Sequence, residues 1–152
     1  SWHPSIQHQL KKDRTLTGPA PFNRPRRFLD QWNDDLFRAA YAFLPQSTVS
    51  DILNEGLASI YEDRSEHMLP IEIIQQVHDD LKFQYPLSMG IPNLVKAIQT
   101  AVKYLNTEVT YGGRKFMIHT DVSMGFSLGD LREVREGEDL GKIIEEQQKE
   151  AA

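Results

Sequence analysis

His78, Asp79 and Asp80 stand side by side between two stretches whose residue types suit burial. Ile71, Ile73 and Val77 precede them, and Leu81, Phe83 and Tyr85 follow. The pattern predicts two strands joined by a tight connection at the acids. A carboxylate at such a turn is open to solvent yet held in place by the strands on either side. Carboxylate oxygens suit a hard divalent ion such as Mg²⁺, which keeps several waters and takes only one or two protein carboxylates. Two such ions about 3.5–4 Å apart can activate a hydroxyl and stabilise a leaving group. Taken alone, however, an Asp pair reads more simply as solvated turn residues, since Asp is common in turns.

The surrounding elements follow from periodicity and punctuation. Pro4 to Lys12 has helical character, with proline in the first turn, where its missing N–H costs nothing. "RTLTGPAPFNRPRRFLD" predicts two short strands, at Thr15–Thr17 and Arg27–Leu29, joined by an irregular proline-rich loop. Trp32, Leu36, Ala39/Ala40 and Phe43 have helical spacing across 31–43. Pro45 is expected to end that helix, and Ser47 or Thr48 to cap a second one carrying Val49, Ile52, Leu53, Leu57 and Ile60. A helix over 92–105 presents Leu94, Val95, Ile98, Val102 and Leu105 on one stripe. Beyond it, a strand turns at Gly112-Gly113 into a second strand expected to reach Val122. Residues 135–152 read as a polar tail or frayed helix. This order of helices, hairpins and strand pairs predicts an α+β fold with antiparallel strands packed on helices.

Bulk properties narrow the function classes. The chain has 152 residues, the length of one domain or of a large piece of one, and a formal net charge of -5, which argues against a simple basic DNA-coating protein. A local basic strip can still serve nucleic acid, and Lys11, Lys12, Arg14, Arg24, Arg26 and Arg27 form the one such concentration. That strip reads either as a phosphate-contacting surface or as solubilising charge. Without cysteine there are neither disulfides nor thiolate metal ligands, which fits a cytoplasmic protein. No apolar run approaches the roughly 18 residues that span a bilayer, so no membrane partner is expected. Ser1 runs directly into structured sequence, as at a processing or splicing boundary.

The string "IIQQVHDDLKF" closely resembles the third conserved motif of family A DNA polymerases, the bacterial polymerase I type. In that family a Gln-Val-His-Asp-acidic turn joins two strands of the palm. The resemblance implies that Asp79 binds the catalytic metal, that His78 packs near the primer terminus, and that Gln76 lies beside it. Asp80 holds the second acidic position, where the family usually has Glu. "RAAYAFLPQSTVSDILNEGL" resembles the segment preceding this motif, which would place Arg38 and Gln46 on the primer–template minor groove. Ala42 stands where the family often has Asn. "LTGPAPFNRPRRF" is similar to the family's T-x-x-G-R-x-R hairpin, with Asn23 for the usual Gly and a longer loop; it turns Arg24, Arg26 and Arg27 towards a DNA role. "DVSMGFSLGDLREV" resembles the closing strand and G-x-x-W-G turn, with Leu128 at the Trp position. The resemblance is colinear from Trp2 to Val134, so residues 1–134 would be the C-terminal palm segment, of a compact viral type.

Two of the family's motifs are absent. Neither the "D-Y-S-Q-I-E" strand, which holds the other metal-binding Asp, nor the fingers helix ending in Tyr-Gly, which binds triphosphate, occurs here. Asp34-Asp35 and Glu62-Asp63 read as solvated helix faces. The resemblance therefore implies a two-metal Mg²⁺ site completed by a second polypeptide that carries the rest of the palm, the fingers and the thumb. Primer–template DNA and dNTP would be the substrates. Ser1 would suit a split or intein-interrupted gene. The alternative is a non-catalytic remnant of a palm that binds DNA or a partner. A free-standing phosphohydrolase built on "HDD" would need further His or Asp ligands at suitable spacing.

Among the other residues, His119 and Asp121 are expected to share one face of the late strand. Trp2 and Trp32 are expected to pack, and Met68, Met89, Met117 and Met124 to fill the core.

Overall fold

A computed structural model describes residues 2–150 and combines four helices with four antiparallel strand pairs. The α+β expectation holds. The chain divides into two compact units, one of residues up to Asn54 with Thr107–Ile118, the other of Glu55–Asn106 with residues from His119 onward.

In the first unit, α1 (Trp2–Asp13) leads into β1 (Thr15–Thr17), which pairs with β2 (Pro25–Arg27) through Leu16 opposite Arg26. The proline-rich segment between them makes the expected loop, and the second strand lies two residues earlier than its composition suggested. Ile6 and Leu10 of α1, Leu16, Phe28, Leu36, Ala40, Phe43 and Leu44 form the core of this unit. Phe28 meets Phe43 edge-on at 6.0 Å between ring centroids. Each fully buried side chain of this size contributes about 1.5–3 kcal/mol relative to exposure. The hairpin of β5 (Glu108–Tyr111) and β6 (Arg114–Met117) belongs to the same unit. Ala20 joins it through reciprocal backbone bonds with Thr110, of 3.0 and 2.9 Å. The turn falls at Gly112-Gly113, as expected, and both glycines have positive φ. The second strand stops at Met117, however, and does not reach Val122.

Helix α2 (Asp34–Glu62) is continuous, and the expected break at Pro45 does not occur. Asn33 caps its start by accepting the Leu36 N–H at 2.9 Å, and Asp34 and Asp35 lie at the positive end of the helix dipole. Ser47 and Thr48 cap nothing; the Thr48 hydroxyl donates back to the Leu44 carbonyl at 2.6 Å. The reason is a continuous buried row at four-residue spacing: Leu36, Ala40, Leu44, Thr48, Ile52, Gly56 and Ile60. Packing along that row outweighs the cost of an internal proline, about 3 kcal/mol.

The second unit holds β3 (Glu72–Val77), β4 (Asp80–Gln84), a 3₁₀ turn over Leu87–Met89 and α3 (Ile91–Leu105). It also holds β7 (Val122–Met124), β8 (Arg132–Val134) and α4 (Leu140–Glu150). Gly56 lies against α3 so closely that an added Cβ would stand 2.6 Å from Leu105 Cδ2. Of the two readings of residues 135–152, polar tail or frayed helix, the helix is found: it forms α4, whose Ile143 and Ile144 are buried and which packs against α3. Asp139 caps it, accepting the Gly141 N–H at 2.8 Å. His119 and Asp121 lie between strands, not on one. Met68 is buried, whereas Met117 is 43% exposed and fills no core. Trp32 is half exposed but packs on Phe37 and under the Arg14 guanidinium. Ser1 and the Trp2 side chain lie outside the described residues.

Candidate functional site

The site is built on the β3–β4 ribbon. Val77 pairs with Asp80, which leaves His78 and Asp79 as a two-residue reversal. Such a turn needs a positive φ, and His78 supplies it at 55°. His is one of the few residues with side chains that tolerate this region. The turn thus brings Gln76, His78, Asp79 and Asp80 together at one tip, as the spacing predicts, and all four are exposed.

The strands flanking the tip are less buried than their composition suggests. In β3 only Ile73 is half-buried; Ile74 and Val77 are exposed. The ribbon has two strands and no third, so β3 has no sheet neighbour beyond β4 among the described residues. A bulge between Ile73 and Gln75 places Ile74 out of register. Strand β4 is better covered, with Leu81, Lys82 and Phe83 half-buried. Burial pushes the Tyr85 phenol up to about 12.

The two carboxylates differ. Asp80 is ion-paired to Lys82, two residues along the same strand. Asp79 makes no hydrogen bond or ion pair among the described residues, so its oxygens are open to a cation. An exposed carboxylate fits Mg²⁺ as a hard oxygen donor; Asp80 fits once Lys82 yields it. The described residues contain no cluster of three or more His, Cys, Asp or Glu able to hold a metal.

The remaining candidates lie in the first unit. Arg24 is engaged by the buried carboxylate of Asp51, with Nε at 2.8 Å, which raises the guanidinium pKa. It clamps the loop before β2 to α2. Arg26 lies over the Phe28 and Phe43 rings, at 4.8 and 5.7 Å from their centroids. Arg27 is exposed. Arg38 and Gln46 are both exposed on α2, about 12 Å apart along its axis. Arg38 reaches Asp35 at 3.7 Å.

Sequence reasoning missed one polar cluster. Asp63 accepts the Ser65 N–H at 2.8 Å and the Tyr104 hydroxyl at 2.9 Å, and His67 Nε2 lies 3.1 Å from Thr100 Oγ1. The Ser65 bonds hold the Asp63 carboxyl below its usual value, and the Asp63 bond raises the Tyr104 phenol. An Asp followed two residues later by Ser is the signal of such a turn. Tyr104 could not have been paired with it from spacing.

No helix among the described residues is long and apolar enough to cross a membrane. Set against known proteins, the chain matches no family model, no curated protein and no solved structure.

Proposed function

We propose that this chain is the C-terminal palm segment of a family A DNA-directed DNA polymerase, of viral type, working in the cytoplasm. It would act as half of an active site whose remainder comes from a second polypeptide bearing the rest of the palm, the fingers and the thumb. The observation that carries the reading is the Val77–Asp80 pairing, which sets the "VHDD" motif on a two-residue reversal with Asp79 open at its tip. Asp79 would hold the metal, and Asp80 would support it after exchanging Lys82. Mg²⁺, when bound, supplies Lewis acidity for the attacking hydroxyl and the leaving pyrophosphate. His78 and Gln76 would position the primer end, and Arg38 and Gln46 would contact the minor groove. Of the three arginines, Arg27 is the best placed to meet phosphate, because Arg24 is held by Asp51 and Arg26 by aromatic rings.

Primer extension tests this. The chain alone should incorporate no nucleotide, and incorporation should appear when it is mixed with a polypeptide supplying the two absent motifs. Such a polypeptide should be encoded beside it in the source genome. Incorporation by this chain alone would overturn the reading.

The Asp80–Lys82 pair favours a second reading, a palm remnant that binds DNA or a partner without chemistry. In that case DNA binding persists and no mixture incorporates nucleotide.

A further inference from the structure

The second unit contains an open groove of about 940 Å³ whose walls are unlike one another. Its floor is apolar, made by Leu94, Ile98 and Val102 of α3 with Ile144 of α4. From β3 and the residues before it, only Pro70, Glu72 and Ile74 contribute, alternate positions as expected of one strand face. By contrast, every residue over 80–87 lines the groove, and so does every residue over 120–128. Side chains in a strand alternate between faces, so consecutive lining means that the strand edge borders the space. Among the described residues β4 pairs only with β3, and β7 only with β8. On β7 the Met124 carbonyl is already taken by the Gln147 amide at 2.9 Å, whereas β4 keeps one open edge of backbone donors and acceptors, which is the template for strand addition.

Charge narrows the occupant further. Glu72, Asp80 and Asp121 line the groove against a single cation, Lys82, which is already paired with Asp80. We propose that the groove receives an extended segment of a second polypeptide, hydrogen-bonded to the open edge of β4. Its alternate apolar residues would face α3 and α4, and basic residues would flank them. The identity of the occupant as a second polypeptide rests on the function proposed above; the strand-addition mode rests on the groove itself.

Hydrogen exchange on the full chain tests it, with a capped Lys-Val-Thr-Val-Thr-Val-Lys peptide at millimolar concentration as the probe. Amides over 81–85 should exchange at least tenfold more slowly with the peptide. A version with proline at the central position, which cannot continue a ladder, should give no protection. Asp121→Lys should weaken the binding at least threefold. Unchanged exchange over 81–85, equal protection by the proline peptide, or occupation of the groove by a second copy of the chain would overturn the proposal. The readout involves no nucleotide. A chain that binds the peptide but fails in every extension mixture leaves strand addition standing and defeats the polymerase reading. The reverse result separates the two equally.

Discussion

His78 takes a φ of 55° because a two-residue reversal needs a positive φ, and it is the only residue of the Gln76–Asp80 tip to do so. A β-branched residue there costs about 1–2 kcal/mol, whereas Gly costs nothing sterically. His78→Gly should keep the thermal midpoint, and His78→Val should lower it by about 2–4 °C for each kcal/mol lost. Equal midpoints for the two variants would show that the turn is not under this constraint. Asp63 carries a pH dependence of known sign. Its folded pKa is depressed, so its contribution is complete above the ordinary carboxylate range and fades as pH falls through the folded value. Tyr104 works in the opposite direction, contributing below the ordinary phenol value and losing that as pH rises. Urea midpoints should therefore fall less steeply below about pH 4 in Asp63→Asn than in the parent chain. Parallel curves would contradict the assignment. The acid pair itself was legible as a turn, because Asp and flanking apolar residues signal one locally. The Lys82 partner of Asp80 and the Asp51 partner of Arg24 were not, since an ion pair is chosen by geometry that spacing does not carry.

At the scale of elements, α2 shows a local rule overridden by packing. Pro45 removes a hydrogen bond from the helix interior and is exposed, so no buried contact depends on it. Pro45→Ala should raise stability by as much as about 3 kcal/mol and the thermal midpoint by up to about 6–12 °C. A midpoint unchanged or lowered would mean that the ring itself stabilises the helix. The proline was read as a stop because the two apolar faces around it look like separate helices. They are one buried row that winds around a single helix, since four-residue steps overshoot a turn of 3.6 residues. The C-terminal helix α4 was legible only as one of two alternatives, because just Ile143 and Ile144 are buried among charged neighbours, a weak periodic signal. Its cap at Asp139 was the readable sign. The β3–β4 hairpin, the Gly112-Gly113 turn and α3 were legible because turn chemistry and hydrophobic period agree at each.

At the scale of the whole chain, the four strand pairs among the described residues share no strand, which leaves strand edges without a sheet neighbour. Isolated hairpins are marginal in water, so these ribbons depend on helices or on added strands. The basic residues Arg24, Arg26 and Arg27 belong to one compact unit and the acid tip to the other. The most direct measurement is primer extension with Asp79→Ala in the mixture of this chain and its complementing polypeptide. The account predicts a loss of incorporation on the order of a thousandfold or more, with DNA binding unchanged. Incorporation within about tenfold of the parent mixture would contradict Asp79 as the metal-binding carboxylate.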